Sequence, residues 1–458
     1  MAATPQGNGP ALAEYIAGAR ERTPPPEVID MARLCLSDWL GVAIGAGEEE
    51  AGRIVREVAA GWRSVGNSTV MFAKGSGGTT AAPFAALANG TLAHCLDFDD
   101  TYVKAITHTS APVWAATLAL GEEIGADEGA MLAAFVTGFE VAARIGSGLG
   151  EAVTARGWHG TGVFGRLGAA AAASVLLKLD AARALNALGA AATQTAGLTA
   201  SFGTMAKPFH AGKAAMDGVV AAQLAASGFE AATGLFEPGG GLDNALLQDR
   251  SVAIAPVDFG GWRILDNSFK PYAACHLTHP AVDAARALAP GMNRLPALKS
   301  VRAEVGALAN QITGGKTGSP ATPLEGKFDL KYCVALGLFG QDLSAADFRE
   351  PWRPDPAVCD TAQKVAVAVS PEMGFASARL TLDFADGRTE TRHVPVAKGH
   401  PGNPMNWHDM EAKFAALAAP YLGQRSEALF GLAREFGRGG ILPEMRAILG
   451  RLHLTEAA

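Results

Sequence analysis

Two periodicities divide this chain. As far as residue 266, segments such as PPEVIDMARLCLSDWLGVAIGAG, SAPVWAATLALGEEIGA, DEGAMLAAFVTGFEVAARIGSGLG and DAARALNALGAAATQTAGL repeat their apolar residues at helical spacing. They are rich in alanine and glycine, which let helices approach closely, so this part must be a compact helical domain. Beyond it, LKSVRAEVG, QKVAVAVS and ARLTLDFADGRTETRHVPV alternate apolar and polar residues, and the ADG turn predicts a hairpin. Helical segments around 279–289 and 328–340 lie among these strands, which makes this part α+β. After the loop VAKGHPGNPMN the helical period returns in WHDMEAKFAALAAPYLGQRSEALFGLAREFG. The expectation is a mainly α protein, with one large all-helical domain built from 1–266 plus 400–458 and a smaller α+β domain inserted over 267–399.

Charge and cysteine usage remove several classes of function. With 45 acidic against 38 basic residues and a formal charge of -7, the chain has no basic tract of the kind that binds nucleic acid. Cys35, Cys95, Cys275, Cys333 and Cys359 are scattered, odd in number and without a CxxC, which suits a reduced cytoplasmic protein and not a disulfide scaffold or a cysteine-held iron–sulfur cluster. The N-terminus lacks the pattern of a secretory signal, and alanine runs such as LGAAAAASVLLKL are too short and too weakly apolar to span a bilayer. A soluble protein without a membrane or nucleic-acid partner is expected.

Against this apolar background, AHCLDFDDTYVKAITHTS, residues 93–110, gathers two histidines, three aspartates, a lysine and several hydroxyls. His94, Asp97, Thr101, Lys104 and His108 are spaced to line one face if helix runs throughout. GTGVFG, Gly160 to Gly165, matches the dinucleotide fingerprint, with Asp180 downstream. No buried strand precedes it and helix follows it, so its glycines and Thr161 are read as opening a helix beside His159, where backbone amides can receive a carboxylate. GTMAKPFHAGKAAMDG places Lys207, His210 and Lys213 together, which composition alone reads as a solvated loop entering a helix. DNSFKPYAACHLTHP places Lys270, Tyr272, His276 and His279 at the domain junction. The pair His276 and His279 raises a metal reading with Asp97 or Asp100, but HxxH without a glutamate partner is a weak ligand pattern.

Five blocks, LAHCLDFDDT, GWHGTGVFG, AKPFHAGKAAMDGVVAAQLAASGF, FKPYAACHLTHPAVDA and KGHPGNPMNWHDMEAKF, occur in order along nearly the whole chain. Together they resemble the MmgE/PrpD family. The family includes 2-methylcitrate dehydratase, cis-aconitate decarboxylase and iminodisuccinate epimerase. The resemblance implies a large helical domain, a smaller inserted lid domain, a homodimer, and chemistry that uses neither a metal nor another cofactor. Such reactions create or quench negative charge at a carbon beside a carboxylate, in small molecules that already carry two or three carboxylates. They need cations and amide donors for binding, and a proton carrier such as histidine.

Matched motif by motif, the resemblance makes His108 the proton donor or acceptor, with Asp97 tuning a neighbouring group and Thr101 hydrogen-bonding substrate. Lys207, Lys270 and His159 would hold carboxylates, and Tyr332 in KFDLKY would close the site from the lid. His276 and His279 are grouped with the substrate-binding residues, His279 alternatively opening a helix, while Asp99 and Asp100 cap or orient the DFDDT segment. The implied function is a cofactor-independent lyase that decarboxylates or dehydrates a cis-aconitate-like or 2-methylcitrate-like acid. Epimerisation of a dicarboxylate, or a silent binding role on the same fold, are the alternatives.

Overall fold

The computed structural model describes residues 7–73, 78–239, 241–289, 297–349 and 351–452. With 57% of residues in helices and 8% in strands, the chain is mainly α. It separates into two compact units, one made by the chain up to Ser268 together with the chain from Asn406 onward, the other by Phe269–Met405.

The first unit contains α1 (Pro26–Gly45), α2 (Glu50–Gly61), α3 (Ala82–Cys95), α4 (Ser110–Ile124), α5 (Glu128–Gly146), α6 (Gly160–Leu176) and α7 (Ala206–Ala226). Helix α7 packs against both α3 and α6, with α5 against α6. Small residues set these contacts. A methyl group at Gly212 of α7 would overlap the Leu87 carbonyl and the Thr91 hydroxyl of α3. Gly138 and Gly168 face each other, and a Cβ on either would come 2.5 or 2.7 Å from the other's carbonyl oxygen. Backbones that close exclude larger side chains, so the alanine and glycine content is a packing requirement. Larger groups are buried as well, for example Trp114 stacked on Phe135 with ring centroids 4.1 Å apart.

Helix α5 is long and apolar enough to cross a membrane, but 89% of that stretch is buried inside the protein. It also carries the ion pair Glu140–Arg144, at 2.7 Å. These are the marks of a core helix.

One expectation is corrected. The first unit is not purely helical, because Ser68–Thr69 (β1) pairs antiparallel with Thr79–Thr80 (β2). Strands of two residues are too short for an alternation to register in sequence.

In the second unit β3 (Leu298–Val305) lies between β4 (Val365–Val369), to which it runs parallel, and β5 (Ala378–Phe384), to which it runs antiparallel. Strand β6 (Thr389–Val394) completes the order β4-β3-β5-β6 by a hairpin with β5. Its turn contains Gly387 at φ +85°, a conformation that glycine adopts without the strain a side chain brings. Alternate residues of β5 are buried, as the alternation in ARLTLDF requires. Helix α8 (His279–Leu288) packs on β5, β6 and α9 (Leu330–Leu338).

The chain then re-enters the first unit through α10 (Trp407–Leu422). A capping box starts that helix, with the Asn406 side chain accepting from the Asp409 backbone and the Asp409 carboxylate accepting from the Asn406 N–H. Helix α10 lies along α1.

Candidate active site

The polar stretch 93–110 is not one helix. Helix α3 ends at Cys95, and Asp97 follows in the left-handed region at φ +52°, where aspartate is among the tolerated residues. Thr101 exchanges backbone hydrogen bonds with Ser268, at 2.8 and 3.0 Å. After a single 3-10 turn at Val103–Ala105, Ile106 takes another left-handed conformation before α4 begins. The expected helical face is therefore broken, and Lys104 leaves it: its ammonium lies 2.6 Å from Asp266, with 60% of the side chain exposed. The others fold back into a cluster.

Helix α6 receives this folded loop. A Cβ at Gly160 would come 2.5 Å from the Ile106 carbonyl oxygen, and the Thr161 hydroxyl accepts the His108 backbone N–H at 3.0 Å. The glycines of GTGVFG thus admit a neighbouring backbone instead of a phosphate, and Asp180 merely caps the helix that follows, accepting from the Arg183 N–H.

At the centre two carboxylates face three imidazoles and a lysine. Asp99 accepts from His94 Nδ1 at 2.9 Å, and His108 Nδ1 lies 3.3 Å from the same carboxylate as a charge contact without hydrogen-bond alignment. Lys207 Nζ, at the start of α7, donates to Asp97 at 2.5 Å, and His108 Nε2 stands 3.8 Å from that oxygen. The His94 ring meets His108 edge-on at 4.5 Å and stacks on His159 at 5.6 Å. His159, at the N-cap of α6, has its Nδ1 3.1 Å from His210 Nδ1, and Phe202 packs edge-on against its ring. Asp97, His108, His159 and Lys207 are therefore brought together, with Thr101 buried on the adjoining loop and its hydroxyl without a hydrogen-bond partner.

Burial distributes the protons. His94 and Asp99 have almost no exposure, whereas 13% of the His108 side chain reaches solvent, so His108 is the most accessible of the three. The neighbouring imidazoles hold Asp99 well below the usual carboxylate range, against the opposing effect of burial. An ionised Asp99 needs a proton on His94 Nδ1, so His94 Nε2 carries the lone pair, and that nitrogen is buried without a partner. Burial, opposed by Asp99, lowers the His94 pKa to about 4. Burial, followed by the charges of His94 and Lys207, lowers that of His159 as well. Both are neutral near pH 7.

The ligand atoms of His94, Asp97, Asp99 and His108 all lie within 4.8 Å of one another, a donor set that suits a divalent cation. The Lys207 ammonium on Asp97 already supplies a cation there. His276 and His279 are not among these donors.

Beneath the cluster runs a second polar network. The Asp38 carboxylate of α1 accepts from the Asp100 backbone N–H at 3.0 Å and from Lys413 Nζ of α10 at 2.6 Å. Lys413 also donates to the Phe98 carbonyl at 2.7 Å. Asp100 itself accepts from the Ser110 hydroxyl and, at 2.6 Å, from the Asn267 amide. The DFDD segment is thus held from behind by α1 and α10.

Burial and then the charge of Asp38 push the Asp100 pKa up to about 7. A folded-state pKa above the unfolded value means that this group's contribution is full below about pH 4 and lost as pH rises through about 7. Relative to an Asp100→Asn variant, the protein is expected to lose about 1.4 kcal/mol of stability per pH unit between those limits. Urea midpoints of the two proteins at pH 5 and 7 check this, and a pH-independent gap would exclude it.

Lys270, His276, His279 and Tyr332 belong to the second unit. All four are buried there. His279 opens α8, its ring 4.8 Å from that of His276 and its Nε2 3.2 Å from the Ala274 carbonyl. Tyr332 lies on α9 near Trp352, with ring centroids 5.9 Å apart. Burial raises its pKa, so it is a neutral phenol.

Three members of the first-unit assembly escaped the sequence reading of the site. His94 stood in the quoted stretch, but its role depends on the Asp99 contact. Asp38 and Lys413 are separated by 375 residues, a distance over which no spacing argument operates.

Fold and cluster together define a helical protein with a buried histidine–aspartate–lysine site and a smaller α+β unit. The chain belongs to the MmgE/PrpD family, whose N-terminal domain matches residues 10–255 and whose C-terminal domain matches residues 272–434. Among curated relatives, it is 29% identical over 353 residues to a cis-aconitate decarboxylase of Aspergillus terreus, covering 69% of this chain and 71% of the relative. It is 28% identical to the cis-aconitate decarboxylase of Homo sapiens, covering 74% and 73%. A cis-aconitate decarboxylase-like protein of Aspergillus oryzae is 27% identical over 91% of this chain and 92% of its own.

Proposed function

We propose that this protein is a lyase that decarboxylates a small tricarboxylate of the cis-aconitate type by proton transfer beside a carboxylate. The observation that carries the reading is the Lys207–Asp97 pair set against His94, His108 and His159, a buried group that is both cationic and proton-carrying. The names of the curated relatives point to the same substrate class.

In cis-aconitate the departing carboxylate sits on a carbon next to the double bond. When that C–C bond breaks, its electron pair forms a new terminal double bond. The old double-bond pair moves to the carbon beside a second carboxylate, which takes up a proton. Carbon dioxide leaves, and one proton is consumed. His108, more exposed than the buried His94 and His159, is the proton donor, with the Asp99 carboxylate 3.3 Å from its Nδ1. Lys207 and the buried His159 hold the remaining carboxylates, and the ammonium offsets charge that develops in the transition state. A bound polyanion itself favours the protonated form of the imidazole that it touches.

Proton NMR in deuterated buffer, with cis-aconitate, 2-methylcitrate and iminodisuccinate supplied separately, tests the reading. The expected result is loss of cis-aconitate with one deuterium at the protonated carbon, abolished in a folded Lys207→Met variant. Water loss from 2-methylcitrate, or exchange at the α-carbon of iminodisuccinate, would replace decarboxylation by dehydration or epimerisation. No change with any of the three overturns the proposal.

A further inference from the structure

A second charged cavity lies in the first unit, apart from the histidine cluster. It encloses about 230 Å³ between α2 and the β1–β2 ribbon. Arg53, Arg56 and Arg63 line it against one carboxylate, Glu57, with the hydroxyls of Ser64, Thr79 and Thr80 on the same wall. Phe72 and Val70 supply an apolar side.

Arg56 makes this more than a basic surface. It is only 6% exposed, and one arm of its guanidinium is tied, Nη2 donating to the Gly47 carbonyl at 3.1 Å. The other arm, Nη1, is equally buried and has no hydrogen-bond partner. A buried donor without an acceptor is costly, and guanidinium groups meet that need best with an oxyanion. The guanidinium carbon lies 5.6 Å from the Phe72 ring centroid, so the group is braced from one side. Arg53 is held by Glu50 and Glu57, at 3.5 and 2.8 Å, whereas Arg63 follows α2 in a left-handed backbone conformation, φ +51°. Two residues in that conformation, Arg63 and Phe72, flank one cavity, and non-glycine residues adopt it only where the surroundings hold them.

We propose that this cavity binds a compact polyanion, a molecule with two or more carboxylate or phosphate charges on a small carbon body, using the guanidinium groups of Arg56 and Arg63. The volume admits a small polyanion of the size of tricarballylate. Cys95, the last residue of α3, lies within electrostatic reach of Arg56, and the residue before it is His94 of the catalytic candidate. The proposal does not depend on the lyase reading.

Calorimetric titration with inorganic phosphate and with tricarballylate tests it on the intact protein. A Lys207→Met variant removes the lysine of the histidine cluster. Binding that persists there, and weakens at least tenfold in Arg63→Ser, is the expected result. Arg56→Met should abolish it, and Arg63→Ser, a change on an exposed residue, keeps the test valid if that core variant fails to fold. Heat from phosphate alone assigns phosphate esters, from tricarballylate alone polycarboxylates, and from both the shared anion chemistry. Binding lost in Lys207→Met but untouched in Arg63→Ser would place the anion in the histidine cluster and overturn the proposal. No binding of either probe overturns it as well.

Discussion

An Asp99→Asn variant is expected to stay folded and lose between about 10²- and 10⁴-fold in turnover, the range for removing the group that orients a catalytic imidazole. Asp99 faces two imidazoles at once, His94 at 2.9 Å and His108 at 3.3 Å. As an ionised acceptor it requires a proton on His94 Nδ1 and leaves the lone pair on His94 Nε2. Asparagine presents an amide that donates as well as accepts, so the opposite tautomer of His94 becomes available, and His108 loses the carboxylate 3.3 Å from its Nδ1. The amide is nearly the same size, so packing is preserved. The effect therefore belongs in kcat with the thermal transition little moved. Turnover within threefold of the parent, in a variant of unchanged melting temperature, would remove Asp99 from the mechanism.

The largest effect on stability is expected at Lys413. Its ammonium is buried, bonded to Asp38 and to the Phe98 carbonyl, and set 3.9 Å from the Phe98 ring centroid. Lys413→Met keeps much of the side-chain volume but strands the Asp38 carboxylate, which retains only its backbone contact to Asp100. Leaving one member of a buried pair uncompensated costs about 3–5 kcal/mol. Urea denaturation should show that loss, and adding Asp38→Asn to Lys413→Met should restore part of it, because the stranded charge goes with it. A single-variant cost below about 1 kcal/mol would mean that the pair contributes little. Activity should fall as well, since the pair anchors Phe98 and Asp100 on either side of Asp99.

Much of the architecture was legible because its signals are local. Helical period and strand alternation depend on neighbours within a few residues, and the helices of the first unit and the four strands of the second appear where those patterns lie. The two-residue β1–β2 ribbon was hidden because a period needs length. The sequence reads the fingerprint GTGVFG as a helix opening and not as a nucleotide site, yet the close approach of the 105–106 backbone to Gly160 is visible only in three dimensions. Conversely, the helical face drawn through residues 94–108 failed at Asp97 and Ile106, where the backbone turns left-handed.

By itself the sequence determined the helical class, the strand set, the family motifs and the concentration of proton carriers in one short stretch. Tertiary structure alone decided which carboxylate holds which imidazole, that Lys207 and not Lys104 meets Asp97, and that Asp38 and Lys413 close behind the loop. The reason is physical: secondary structure follows from the local spacing of side chains, whereas protonation and pairing follow from burial and from partners that the chain brings together only when it is folded.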